Sequence, residues 1–140
     1  MKIIVAVDGS AYTQKALDYL KTHRASLIDG QPLVLVHVSP AIPPHAASHL
    51  DAEALRLYYA DEAEKAMGPV RSIFEQADIP FTVDARHGKA ATGILEAARA
   101  AGADLIVMGT RGQGALGRAI MGSVATEVLT DGGMPVLLVQ

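Results

Sequence analysis

Asp104-Leu105-Ile106-Val107-Met108 leads directly into Gly109-Thr110-Arg111-Gly112, and nine residues later (113–121) the chain reads Gly122-Ser123. A helical pattern, Val124-Ala125-Thr126-Glu127-Val128-Leu129, follows this glycine-punctuated stretch. We therefore expect a buried strand, a loop and a helix whose N-terminus is capped by Ser123.

The loop between this strand and this helix suits an anion such as phosphate. Glycines let backbone N–H groups approach a ligand closely, and the first turn of a helix offers unpaired donors and the positive end of its dipole. Arg111 and Arg118 lie in the loop and could add charge-assisted contacts. Glycines also serve plain turns, but this spacing with Ser123 at a helix start favours phosphate.

Three further apolar runs, residues 3–7, 33–38 and 136–139, predict buried strands like the one at 105–108. Continuous apolarity indicates that both faces of a strand are covered, as in a parallel sheet between two helix layers. Residues 81–85 alternate between apolar and polar, which predicts a strand nearer an edge.

Helical patterns separate the strands. We predict helices at 11–27 with Ser10 as N-cap, at 51–77 with a kink or split at Gly68-Pro69, at 89–101 ending at Gly102, and from Ser123 to about 132. The alternation of strands and helices predicts an α/β fold, an open doubly wound parallel sheet of five strands flanked by helices, Rossmann-like, in the order 3-2-1-4-5.

In such folds ligands bind beyond the carboxyl ends of the strands, where the winding direction reverses. The first strand ends in Asp8-Gly9-Ser10 and the fourth in the glycine loop, so the crevice between them is the expected site. Residues 39–50 lack periodicity and contain three prolines, which makes them a candidate mobile flap.

Length and composition limit the classes of protein to which this chain can belong. The 140 residues carry a net charge of −3 and no cysteine, which predicts one domain (1–140), no disulfide, and no general attraction to nucleic acid or membrane. The first apolar run is too short for a signal peptide, and no segment approaches the roughly 20 apolar residues of a membrane span. A cytoplasmic location is the expectation.

Five blocks in order, residues 5–10, 88, 104–112, 122–124 and 135–139, resemble the universal stress protein family across essentially the whole chain. ATP-binding members of the family carry Gly-x2-Gly-x9-Gly-Ser/Thr in the fourth loop, and members that do not bind ATP typically lose those glycines. Gly109, Gly112, Gly122 and Ser123 match the motif, so the resemblance implies the ATP-binding branch.

The resemblance implies a nucleotide site made of nine residues: Val7, Asp8, Val38, Gly109, Arg111, Gly112, Gly122, Ser123 and Val124. Among them, Gly109 and Gly112 would lie along the ribose and phosphates, and Ser123 with Gly122 would hold the phosphates. Asp8 would lie near the ribose or a metal. The backbone of Val38, at the end of the second strand, would meet the adenine edge. The implied cofactor is ATP, with Mg²⁺ held mainly by the phosphates.

The resemblance also implies a homodimer through the last strand, Val136–Val139. A flat apolar sheet edge is an aggregation hazard, and pairing two such edges across a two-fold axis removes it. The alternative is that a helix of the same chain covers this edge.

Other motifs in the sequence give only weak support for different kinds of site. Residues 112–117 spell G-x-G-x-x-G, but no acidic residue ends the following strand, as a dinucleotide site requires. No Walker A motif is present, and Asp8 lacks the second acid and the partner Asp and Lys of a receiver domain. Asp8 could also simply cap the first turn. His45 and His49 are expected to be exposed, and His37 to be buried and hydrogen-bonded, whereas His87 and Lys89 could either touch phosphate or serve the surface.

Three functions remain open from the residues alone. No nucleophile–base pair accompanies the loop, which favours a nucleotide-binding regulator whose occupancy changes a surface read by a protein partner. The second is a slow ATPase or phosphotransferase with Asp8 orienting a metal. The third is a nucleotide-free dimeric interaction module in which the glycines are structural.

Overall fold

The computed structural model of the chain describes residues 1–111 and 121–140. In these residues five parallel strands form one sheet in the order β3-β2-β1-β4-β5. The predicted fold class and strand order are therefore confirmed. The strands are β1 Ile3–Ala6, β2 Leu33–Ser39, β3 Phe81–His87, β4 Leu105–Gly109 and β5 Val136–Val139.

Helices in the described residues cover both faces of the sheet, and they are α1 Ala11–Thr22, α2 Arg24–Leu27, α3 Pro44–Ala47, α4 Ala52–Gln76, α5 Ala90–Ala101 and α6 Ser123–Gly132. Side chains of the central strands alternate between two cores. Val5 and Leu35 pack with α1 and α4, whereas Ile4 and Val36 pack with α5 and α6. Both faces of the three central strands are covered, as the continuous apolar runs predict. The prediction of a buried strand is wrong for β5, whose four residues are only partly buried because the strand lies at an edge of the sheet.

Two helix predictions are wrong in detail. The helix expected at 11–27 ends at Thr22, and a separate turn follows His23. The Thr22 hydroxyl donates to the Asp18 carbonyl, and the His23 ring donates to the Tyr19 carbonyl beside the backbone N–H of His23, so side chains add hydrogen bonds to the last turn.

The helix α4 continues through Gly68-Pro69 and is not split there. Pro69 removes the N–H that would bond to the Lys65 carbonyl, but both residues lie on the exposed side of α4, where solvent can satisfy that carbonyl. The buried side of the helix supplies the packing that holds it together through Met67, Val70 and Phe74.

The segment expected to be a flap, residues 39–50, is more structured than its sequence indicates. Ser39 is the buried last residue of β2, and Pro44 opens the short helix α3. The Ile42 N–H donates to the hydroxyl of Tyr59 in α4, and the Tyr59 ring stacks on His87 with centroids 4.0 Å apart. The mobility of this segment stays a prediction.

In the described part of the chain, no helix combines the length and the apolarity that crossing a bilayer requires.

Candidate functional site

The carboxyl ends of β1, β2 and β4 and the start of α6 enclose a cavity of about 250 Å³. It opens where the winding of the sheet reverses, because α1 lies on one face of neighbouring strands β1 and β4 and α6 on the other. Eight of the nine residues in the predicted site line this cavity: Val7, Asp8, Val38, Gly109, Arg111, Gly122, Ser123 and Val124. The ninth, Gly112, lies outside the described residues, as does Arg118.

The inner wall of the cavity is apolar, and sequence reasoning missed it. It consists of Ala6, Val36, Met108, Ala90 and Ile94, from three strands and from α5. The sequence could have indicated this wall. Ala6, Val36 and Met108 are the even-numbered residues of the predicted strands, and alternate residues of a strand share one face of the sheet. This wall is suited to a flat apolar group such as a base.

Asp8 forms the turn between β1 and α1. Its Oδ1 accepts hydrogen bonds from the Ser10 N–H at 2.9 Å and from the Thr13 hydroxyl at 2.6 Å. Gly9 has φ +79°, so glycine is required here by the turn and not only by room for a ligand. The capping interpretation of Asp8 is therefore correct, and its contact with a ligand stays a prediction.

Thr13 was not predicted to belong to the site. It is buried, lines the cavity, and accepts the Asp8 N–H as well as donating to the carboxylate. Ser10 caps α1 by accepting the Thr13 N–H, which confirms that prediction. Ser10 and Thr13 together hold the Asp8 carboxylate in one orientation at the cavity wall.

Val7 reaches the cavity with its main-chain groups already paired. Its N–H donates to the Val36 carbonyl, and its carbonyl accepts from His37 Nδ1 at 2.7 Å. His37 is thus hydrogen-bonded as predicted, although it is only half-buried. Because both main-chain groups of Val7 are used within the protein, a ligand beside this residue would make van der Waals contacts with it.

Gly109 has a structural reason to be glycine. A Cβ at this position would lie 2.5 Å from Tyr12 Cβ and 2.9 Å from the Tyr12 carbonyl carbon. The missing side chain lets the first turn of α1 close over the end of β4. The glycine therefore shapes the cavity through the packing of α1, whatever contact it makes with a ligand.

The start of α6 differs from the prediction by one residue. Gly122 is the N-cap and Ser123 the first helical residue, so the expectation of a Ser123 cap is wrong. The Gly122 N–H donates to the Thr110 carbonyl at 2.7 Å and closes the base of the loop. The first-turn N–H groups that lack intrahelical acceptors belong to Ser123, Val124 and Ala125, and all three residues line the cavity.

Thr110 is a second residue that sequence reasoning missed. It is 5% exposed and lines the cavity, its N–H donates to the Val139 carbonyl, and its carbonyl accepts from Gly122. Within the part of the chain that is described, no hydrogen bond of the Thr110 hydroxyl is found. Its position in the sequence between two predicted site residues, Gly109 and Arg111, could have indicated that it belongs to the site.

Arg111 brings positive charge to the mouth of the cavity. Its guanidinium carbon lies 5.6 Å from the centre of the Tyr12 ring, within the range of a cation–π contact. Lys15 Nζ lies 5.1 Å from the same ring. Tyr12 thus links the first turn of α1 to the charge at the loop entrance.

Several candidate residues lie away from this cavity. His87 is stacked on Tyr59, Lys89 precedes α5 as its exposed N-cap, and neither lines the cavity. His45 and His49 are exposed as predicted, with ring centroids 5.2 Å apart. Residues 1–111 and 121–140 contain no group of three or more acidic or histidine side chains placed to hold a metal.

A second, more polar cleft of about 600 Å³ lies on the other face of the sheet, between α1 and α4. His37, Glu62 and Lys65 border it, and hydrogen bonds from Lys65 to Asp61 and Glu62 raise the pKa of the lysine. Neither the α6 N-terminus nor Gly109 reaches this cleft. The first cavity is therefore the candidate site.

Fold and cavity define the class as an open doubly wound α/β protein with a cavity at its topological switch point. The model of the universal stress protein family matches residues 1–140. A universal stress protein of Thermus aquaticus, named for the QAH/OAS sulfhydrylase 3′ region, is 34% identical over 140 residues, covering 99% of this chain and 97% of the relative. Universal stress protein MJ0531 of Methanocaldococcus jannaschii is 32% identical over 143 residues, covering 99% and 81%. The chain belongs to the universal stress protein family.

Solved structures share the same fold. Hypothetical protein MJ0577 superposes with a TM-score of 0.80 at 24% identity, over 99% of this chain and 94% of that one. A universal stress protein from Archaeoglobus fulgidus in complex with dAMP gives 0.70 at 22% identity, over 100% and 98%. A universal stress protein in complex with cAMP gives 0.65 at 22% identity, over 100% and 97%.

Proposed function

We propose that this protein binds an adenine nucleotide in the cavity between β1 and β4, and that ATP with Mg²⁺ is its ligand. The observation that carries the proposal is that one cavity joins eight residues of the predicted site to the first-turn N–H groups of α6, which lack intrahelical acceptors. Two proteins of the same fold were solved with adenine nucleotides, dAMP and cAMP, which supports the ligand class.

The two ends of the cavity suit the two ends of a nucleotide. Val36, Val38 and Ile94 form an apolar end for the base, with the backbone of Val38 along its edge. Ser123 and Val124 offer N–H groups and the positive end of the α6 dipole to phosphate. Arg111 adds a charge-assisted contact at the mouth. Mg²⁺ would be held mainly by the phosphates.

We assign the bound nucleotide a regulatory role. Asp8, the acid at the cavity wall, is engaged in a turn with Ser10 and Thr13, as expected of a residue that shapes the site. Nucleotide occupancy of the Gly109–Ser123 loop would change a surface that a protein partner reads. Such a device transmits only the difference in ligand affinity between two states, typically about 1–3 kcal/mol.

We also propose a homodimer through β5. The strand is an edge of the sheet, and all four of its residues are only partly buried within one chain. Pairing with the same strand of a second copy would cover this apolar edge.

Calorimetric titration with Mg-ATP tests nucleotide binding. We expect saturable binding by the wild-type protein and none by Gly122→Val, because a branched side chain at the start of α6 would occupy the space assigned to phosphate. Thr130→Val, which also introduces a valine into the same helix but at an exposed position away from the cavity, serves as the control and should bind normally.

Circular dichroism establishes that Gly122→Val is folded before its affinity is interpreted. Unchanged affinity in the folded variant would show that the loop is wrongly assigned. No binding by the wild-type protein would favour the nucleotide-free interaction module.

A further inference from the structure

The helix α5 carries a glycine in its interior where helix stability favours alanine. Gly93 is buried, and alanines occupy six of the twelve positions of this helix. Glycine in a helix interior is less favourable than alanine because it loses more backbone entropy on folding. The buried face of α5 must therefore need the absence of a side chain at this position.

Val38 fills the space that a side chain at position 93 would take. A Cβ there would lie 2.7 Å from Val38 Cγ2, 3.0 Å from Cγ1 and 3.4 Å from Cβ. Rotation of χ1 would not clear this contact, because both methyl groups of the β-branched valine are involved. A displacement of Val38 away from α5 would relieve it.

Val38 also lines the candidate cavity. Two residues of α5 line the cavity with it: Ala90, which lies one turn before Gly93 on the same helical face, and Ile94. Parallel pairing with Arg86 of β3 holds its backbone. The side chain is thus seated between a notch in α5 and the apolar end of the cavity.

We propose that Gly93 is a positioning residue that seats Val38 in α5 and thereby sets the width of the base end of the cavity. The inference rests on the proposed nucleotide binding and deepens it, since it makes Gly93 a determinant of how large a base the cavity accepts. Crowding at position 93 moves Val38 toward the ligand, so a purine is disfavoured more than a pyrimidine. The phosphate end, built on α6, is unaffected.

Calorimetry with four ligands tests this inference on the intact protein. Gly93→Ala should weaken ATP and adenosine by about tenfold each, the effect of about one misplaced methylene in an apolar pocket. The ratio of ATP to CTP affinity should fall, and inorganic tripolyphosphate should bind as it does to the wild type. Equal ATP affinity in folded Gly93→Ala would overturn the inference.

A rescue variant shows whether the effect passes through Val38. Gly93→Ala combined with Val38→Ala removes the overlapping methyl groups, so its ATP affinity should return to that of Val38→Ala alone. Gly132→Ala is the matched control, because its Cβ would lie 2.9 Å from Leu95 Cδ2 in the same helix layer but away from the cavity. It should bind ATP normally, and a double variant as weak as Gly93→Ala would contradict a role through Val38.

Thermal unfolding tests the seating of Val38 without any ligand. Gly93→Ala should lower the midpoint temperature of unfolding when Val38 is present. It should raise this temperature in the Val38→Ala background, where only the helix preference for alanine remains. A raised midpoint in both backgrounds would overturn the inference. Failure of the wild type to bind ATP would instead overturn the proposed function, and the sign of these midpoint shifts would still decide whether Val38 occupies the notch.

Discussion

At the scale of single residues, the side chains of this site serve the fold before they serve a ligand. Asp8 holds a turn, Gly109 admits α1, and Gly122 closes the base of the loop. A substitution at any of them changes packing as well as binding. Informative variants are therefore those that remove a chemical group and leave the packing in place.

Thr110→Val is such a variant. The hydroxyl finds no hydrogen-bond partner within residues 1–111 and 121–140, so we expect little change in the free energy of unfolding. Nucleotide affinity should fall by about 3- to 10-fold, the loss of one hydrogen bond of about 0.5–1.5 kcal/mol. Calorimetry and urea unfolding measure the two quantities.

Thr110→Ser is the control for this prediction, since it keeps the hydroxyl and should bind within about twofold of the wild type. Loss of stability without loss of affinity would show that the hydroxyl serves the protein and not the ligand.

Asp8→Asn separates the charge of the carboxylate from its role in the turn. Asparagine Oδ1 can still accept from Ser10 and Thr13, so the fold should be retained, whereas Asp8→Ala leaves both donors unpaired and should cost about 1–3 kcal/mol of unfolding free energy. Single-turnover assays with labelled ATP should show the same negligible hydrolysis in the wild type and in Asp8→Asn.

Hydrolysis that is clear in the wild type and lost in Asp8→Asn, with ATP binding intact, would contradict the regulatory role. It would favour the slow ATPase or phosphotransferase in which Asp8 orients a metal.

At the scale of elements, α1 and β4 set the entrance of the site by their close approach. Gly109→Ala would place Cβ 2.5 Å from Tyr12 Cβ and 2.9 Å from its carbonyl carbon, neither of which a side-chain rotation can move. We expect a loss of about 1–3 kcal/mol in unfolding free energy, as for other overpacked positions, measured by urea denaturation.

Gly68→Ala in α4 should instead raise the free energy of unfolding, and this variant serves as the comparison. Its Cβ would meet only the flexible carboxylate of Glu64, at 3.1 Å, so the helix preference for alanine should stabilise the protein by up to about 1 kcal/mol. A Gly109→Ala variant as stable as the wild type would contradict the tight approach of α1 to β4.

The sequence allowed the elements, the strand order and the place of the cavity to be predicted, because buried parallel strands and glycine loops leave local patterns. The break after Thr22, the continuous helix through Pro69 and the turn at Pro44 were not predicted. The helix through Pro69 and the turn at Pro44 depend on contacts beyond the local sequence, the packing of Met67 and the bond from Ile42 to Tyr59.

The same limit applies to the candidate site. Motif residues were found by spacing, whereas Thr13, Ile94 and Gly93 come to the site through tertiary packing of α1 and α5. Alternation within the strand runs could have revealed Ala6 and Val36. No local pattern marks Gly93, because its constraint is the side chain of Val38, 55 positions earlier in the chain.

At the scale of the whole molecule, β5 forms an edge of the sheet that has no neighbouring strand in a monomer. Ile106 and Thr110 donate to the Pro135 and Val139 carbonyls, so in a parallel ladder the N–H of Leu138 points away from β4. Leu138→Pro therefore removes an outward donor while the ladder is kept. Sedimentation velocity should show a dimer for the wild type and a monomer for this variant.

Nucleotide affinity should be retained by Leu138→Pro, since this residue does not line the cavity. A wild-type monomer, or a variant that still dimerises, would contradict pairing through β5.

The most direct test of nucleotide binding is a crystal structure of the protein with Mg-ATP. We predict the base against the apolar wall at Val38 and Ile94, and the phosphates at the N–H groups of Ser123 and Val124. A nucleotide bound elsewhere, or a cavity that stays empty at saturating ATP, would contradict this assignment.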